Sequence, residues 1–146
     1  MDKQEYAARV AWLRRYQESL RREKALLLEI EQLRSRAERV TRALSGMLGP
    51  AGASVDALPG CVADMIEAEQ RLQGEMRYGQ NLRREITAEL TRSLRGKEYE
   101  VLCHRYLFGM KFETIAQNLE LSPRWVYRLH KKAVCKIWNS TDLSNP

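Results

Sequence analysis

Two sets of side chains in this sequence could do chemistry: its sulfur and imidazole groups, and a run of cations without acids. Cys103 adjoins His104, and His130 precedes Cys135 by five residues. These four are potential metal ligands, but zinc sites pair their ligands at tight spacing, as in Cys-x-x-Cys, and no such pair is present. Cys61 is remote from the others, and an odd, scattered set makes no disulfide framework. Cys103 and Cys135 therefore read as small core residues, with no metal and no cofactor expected. There is no Gly-rich phosphate loop and no nucleophile–base spacing. No catalytic residue is assigned, and the chain does not read as an enzyme.

The cationic run is the stronger signal. Arg124, Arg128, Lys131, Lys132 and Lys136 lie between Ser122 and Trp138, with no Asp or Glu among them. A solvated helix face normally mixes both signs, whereas a single-sign segment attracts a polyanion. The chain of 146 residues carries a net charge of +6, and residues 95–146 contribute nine basic and five acidic groups to it.

The sequence around this run predicts what positions it. Phe112–Leu119 reads as a short helix with Ile115, Ala116 and Leu119 inward, Ala116 being small where a second helix must cross. Glu120-Leu121-Ser122 forms a turn, with Leu121 plugging the space between helices. Ser122 suits an N-cap and Pro123 the first helical position. Val126, Leu129 and Ala133 then face inward on a helix predicted over Pro123–Trp138. This is the spacing of a helix-turn-helix, whose second helix enters the major groove of DNA. The candidate DNA-binding residues are Ser122, Pro123, Arg124, Trp125, Tyr127, Arg128, Lys131, Lys132 and Lys136. Arg124 and Arg128 are placed to donate to guanine O6 and N7. Tyr127 is placed for a thymine methyl or a phosphate, and the three lysines for phosphates. His130 is assigned to phosphate contact or packing.

A further helix is predicted over Lys97–Phe108, ended by Gly109 in a left-handed conformation. Upstream, Asp2–Ser45 has no proline or glycine. Its apolar residues Leu26, Ile30, Leu33, Ala37, Val40 and Leu44 recur with heptad spacing, which Trp12 and Tyr16 extend backwards through polar Ser19 and Glu23. A second row, Val10, Leu13, Leu20 and Leu27, widens the stripe. Residues 46–60, rich in glycine and proline, read as a loop. A second long helix over Pro59–Leu94 carries Met65, Leu72, Met76, Ile86 and Leu90, with Glu69, Gly79 and Arg83 as weaker positions. The expected fold is all-α: a long antiparallel, coiled-coil-like helical hairpin (1–94, loop 46–60) serving oligomerisation, a three-helix helix-turn-helix domain (95–138), and a disordered tail (139–146).

The segments Glu98–Ala116 and Leu121–Ala133 resemble the fourth region of bacterial sigma factors, which reads the promoter −35 element. The layout, and the string Arg105-Tyr106-Leu107, Gly109, Ile115-Ala116, Leu119, Ser122, Arg124, Val126, Arg128-Leu129-His130, are similar to a family of small phage and prophage transcriptional regulators. The resemblance implies a sequence-specific regulator that binds double-stranded DNA, with RNA polymerase as a possible further partner. Sigma factors carry a charged residue where Pro123 and Trp125 stand here, so the −35 specificity does not transfer. Two alternatives are a DNA-packaging protein like a phage terminase small subunit, which would form rings, and an interaction protein that binds RNA polymerase. The broad stripe on the N-terminal helices predicts a homodimer through them, or packing against the C-terminal unit. No stretch approaches the roughly 20 apolar residues of a membrane span, and no signal peptide is evident; a cytoplasmic place in a bacterial host is expected.

Overall fold

A computed structural model describes residues 1–46 and 57–138, with the side chains of Ala57 and Leu58 left aside. The expected tail at 139–146, and the part of the expected loop at 47–56, lie outside the described residues. All secondary structure among the described residues is helical: α1 (Lys3–Ser45), α2 (Ala57–Ser93), α3 (Gly96–Leu102), a π-helical segment (Cys103–Leu107), α4 (Phe112–Leu119) and α5 (Pro123–Lys136). The all-α expectation holds. No helix among the described residues is long and apolar enough to cross a membrane.

The chain divides into two compact units, Ser19–Tyr78 and Met1–Glu18 with the residues from Gly79 onward. The expected boundary at residue 94 is therefore displaced. The start of α1 and the end of α2 belong with the C-terminal helices.

In the Ser19–Tyr78 unit, α1 and α2 run antiparallel. Ser19 and Arg22 meet Glu75, while Glu29, further along α1, meets Arg71, earlier on α2. The seam on α1 holds Leu26, Leu33 and Ala37, half-buried, and Ile30, buried. Ser19 is a polar seam position, fully buried; its hydroxyl donates to Glu75 Oε1 at 2.8 Å, which also accepts from Arg22 Nε at 2.8 Å. The pairing explains how a polar residue sits in an apolar stripe: each buried polar atom has a partner.

On α2 the seam differs from the sequence reading. Cys61, Met65, Ala68, Leu72 and Glu75 hold it within this unit, so Ala68 replaces Glu69 and Glu75 replaces Met76, which is exposed. Periodicity favoured Met76 because it is apolar; the bonds from Ser19 and Arg22 instead draw Glu75 inward. Leu27, assigned to the second apolar row on α1, is also exposed. The helix starts at Ala57, two residues ahead of the expected Pro59.

The other unit has one core. Leu13 of α1, Ile86 and Leu90 of α2, and Leu94 just after it pack with Val101, Leu102, Tyr106, Ile115, Val126, Ala133, Val134 and Ile137. Leu82, rather than Arg83, is the buried α2 residue at its position. The expected single helix Lys97–Phe108 is replaced by α3 and the π-helical turn. A local cause is visible in His104, whose Nδ1 donates to the Glu100 carbonyl at 2.6 Å. That side chain competes for the carbonyl that would close the next α turn.

Gly109 takes φ +69°, as its sequence position predicts, and a Cβ there would lie 2.7 Å from Gln17 Oε1. The Gln17 amide cannot swing aside freely, because its Nε2 donates to the Tyr106 and Leu107 carbonyls at 3.1 and 3.2 Å. Gly109→Ala is expected to cost about 2 kcal/mol, from the left-handed backbone and weakened Gln17 bonds together. In a Gln17→Ala background the same substitution should cost roughly 1 kcal/mol less, a coupling that paired urea titrations would measure.

Candidate nucleic-acid interface

Helix α4 is short and strongly amphipathic, with Ile115 and Ala116 buried. It ends at Glu120, which adopts φ 56° and ψ 43°, a left-handed conformation usually given to glycine or asparagine. The reversal is held by backbone bonds: Glu120 N–H donates to Gln117 O at 3.3 Å and Leu121 N–H to Ala116 O at 2.9 Å. Leu121 is half-buried against the core. Ser122 then caps α5, its Oγ accepting from Trp125 N–H at 3.2 Å, and Pro123 begins the helix. The turn and cap follow the sequence reading.

Helix α5 buries Val126, Leu129, His130, Ala133 and Val134. Arg124, Arg128, Lys131 and Lys132 are exposed. At about 100° per residue, Arg124, Arg128 and Lys131 share the outermost line. Trp125, Lys132 and Lys136 fall on one flank, and Tyr127 on the other. Among the described residues no ion pair engages Arg124, Arg128, Lys131 or Lys132. Lys136 differs: its Nζ lies 2.7 Å from Glu98 Oε2 of α3. The helix stops there, and Ile137 is extended. Trp138, expected as the last helical residue, has φ 55°, donates its N–H to Glu89 Oε1 at 2.7 Å, and sets its ring edge-on to Trp12 at 5.0 Å.

Tyr127 is half-exposed yet held in place. Its ring lies 4.6 Å from that of Phe112, and the Arg105 guanidinium sits 4.3 Å from the centroid of the same Phe112 ring. Arg105 also donates to Met110 O at 3.0 Å, tying the segment before α4 into the same column.

His130 is buried, so of the two roles weighed for it the packing one applies. Tyr106 Oη lies 2.7 Å from Nε2 and Tyr6 Oη 3.4 Å from Nδ1. Burial, helped by the nearby Arg105 and Arg14 charges, pushes the imidazole down to about 4. Burial also pushes Tyr106 up to about 12 and raises Tyr6. All three groups are neutral near pH 7. A neutral imidazole has one N–H and one lone pair, so one phenol accepts from it and the other donates.

Sequence reasoning missed the α1 residues that hold α5. Arg9 is buried; its Nη1 donates to the Val134 and Cys135 carbonyls at 3.1 and 2.8 Å, and its Nη2 to Glu5 Oε1 at 2.7 Å. A cation on the last carbonyls of a helix satisfies orphan acceptors and complements the helix dipole. The heptad run back through Tyr16 and Leu13 reaches Arg9 and Tyr6, which was the available signal. Arg9→Ala should lower stability by about 2 kcal/mol; the unpartnered Arg9 Nε sets a limit on the gain from burying it. Thermal or urea unfolding checks this, and an unchanged midpoint would remove the clamp from the account.

No group of three or more His, Cys, Asp or Glu side chains is placed to hold a metal ion among the described residues. Burial raises the Cys103 thiol above its ordinary value.

No family model, no curated protein and no solved structure matches this chain.

Proposed function

We propose that this chain is a sequence-specific double-stranded DNA-binding protein that regulates transcription at phage or prophage promoters, reading the major groove with the exposed face of α5. The observation that carries the reading is the set Arg124, Arg128, Lys131 and Lys132, exposed and without an acidic partner among the described residues, on a helix introduced by a tight, capped turn. Arg124 and Arg128 stand one turn apart on the outermost line, spaced for successive base edges. Lys131 and Lys132 lie further along, where the helix leaves the groove, and meet phosphates. Tyr127, buttressed by Phe112, adds a flat apolar face for a thymine methyl. Ser122 acts first as a cap. Lys136, paired with Glu98, contributes charge rather than a dedicated contact.

The test is selection of duplex fragments from a random pool by the purified chain, followed by sequencing. The reading expects a recurrent motif. Recovery without any motif, or no duplex retention at low salt, would overturn it.

A further inference from the structure

Tyr127 sits beside the Arg124–Arg128–Lys131 line, three residues after Arg124 and four before Lys131, so it neighbours both on the surface of α5. It is uncharged and 50% exposed. A tyrosine so exposed ordinarily swings between rotamers, and this one is held. Its ring meets that of Phe112, the first residue of α4, at 4.6 Å and 37°, within the range that favours aromatic pairs. Phe112 is fixed in turn by two other groups. The His130 ring stands edge-on to it at 5.1 Å, and the Arg105 guanidinium lies over it at 4.3 Å, close enough for a cation–π contact. The bond from Arg105 Nη1 to Met110 O, at 3.0 Å, anchors the guanidinium. One phenylalanine ring therefore joins the π-helical segment, the start of α4 and the exposed face of α5. The Tyr127 hydroxyl has no hydrogen bond among the described residues, so what the assembly fixes is the ring.

We infer that Arg105 and Phe112 are positioning residues that hold the Tyr127 ring as a reader of the 5-methyl group of a pyrimidine. The inference rests on the DNA reading of α5 and narrows it to one chemical group. Thymine presents its methyl in the major groove beside O4. An apolar ring set between two cations buries that methyl and has no directed polar atom with which to test its neighbour. 5-Methylcytosine carries the same methyl on the same ring carbon, so the site accepts it where it rejects unmethylated cytosine. Burying one methyl group is worth about fourfold in affinity. A ring free to wander forfeits part of that gain to the entropy of ordering it. Arg105 and Phe112 therefore act through Tyr127, by setting how much of the fourfold is realised.

The experiment takes the duplex selected from the random pool and replaces each thymine singly by deoxyuridine, which removes the methyl and keeps the pairing edge. The full chain is expected to bind one such duplex about fourfold more weakly, and methylating a cytosine placed at that position is expected to strengthen binding by the same factor. Tyr127→Ala brings both ratios to one, and Tyr127→Phe keeps them. Arg105→Met and Phe112→Leu lower them to about twofold or less, with helical circular dichroism retained. A purely structural role would weaken thymine and uracil duplexes together and leave the ratios alone. Should Phe112→Leu not fold, Arg105→Met decides. A selected motif without a T·A pair, or without a uracil-sensitive position, overturns this inference and leaves the reading by Arg124 and Arg128 standing. Absence of any motif overturns both. Loss of the ratios in Tyr127→Phe would assign the effect to the hydroxyl, and full ratios in Arg105→Met would make Arg105 a backbone contact; either overturns the proposal.

Discussion

Reversing the charge of Arg124 and Arg128 together, as Arg124→Glu with Arg128→Glu, is expected to lower affinity for the selected duplex by about 30-fold to 20,000-fold. Each bidentate arginine–guanine contact discriminates by roughly 1–3 kcal/mol, and two such contacts give that range. Both side chains are exposed and outside the core, so helical content and the unfolding midpoint should stay unchanged. The lysines separate base reading from backbone attraction. Lys131→Gln with Lys132→Gln should weaken all duplexes alike and flatten the dependence of log K on log salt by about 2, near 0.9 per phosphate contact. Electrophoretic or anisotropy titrations at several salt concentrations read both effects. If the glutamate pair binds the selected duplex as tightly as the unaltered chain, α5 is not the reading helix.

The second large effect is loss of stability in mild acid. His130 has an ordinary value of 6.5 and is held down to about 4 in the fold. Between those values the unfolded chain takes up a proton that the folded chain refuses. The contribution is therefore complete above pH 6.5 and declines as pH falls towards 4, by up to about 3 kcal/mol. Glu89 does not confound this window. Burial pushes its carboxyl up, but bonds from Arg92, the Trp138 amide and Ser93 outweigh that and hold it below its usual 4.5, so its own contribution is lost only at more acid pH. Urea titrations from pH 7.5 to 4.5 should show the decline, and His130→Gln, which keeps one donor and one acceptor for the two phenols, should remove most of it. An equal slope in the two proteins would show that His130 is not the group responsible.

Local chemistry explains what was legible in the sequence. The Glu120-Leu121-Ser122 turn, the Ser122 cap, the inward Val126–Leu129–Ala133 row and the left-handed Gly109 all depend on neighbours within a few residues. So does the seam of α1 from Leu26 to Ala37. What escaped depends on distant partners. The α2 register slips because Ser19 and Arg22, on the other helix, draw Glu75 in and leave Met76 out. Lys136 looked like the other four cations until Glu98 of α3 was beside it. Arg9 drew no reading from the sequence, because nothing near it in the chain reveals the α5 carbonyls that it satisfies. The π-helical turn follows from one imidazole bond, for which propensity gives no sign.

The clamp between Arg9 and the end of α5 also governs when this protein can fold. Donor and acceptors are 125 and 126 residues apart in the chain. At about 5–20 residues per second of synthesis, the ribosome makes Arg9 roughly 6 to 25 seconds before the carbonyls it will hold. During that interval the first helix is complete but its Leu13 side has no core to enter. The unit can close only after Val134 and Cys135 have left the exit tunnel. A nascent chain stalled at residue 130 should remain protease-sensitive in its first 18 residues. Loss of the last turn of α5 would then disable the start of α1 as well.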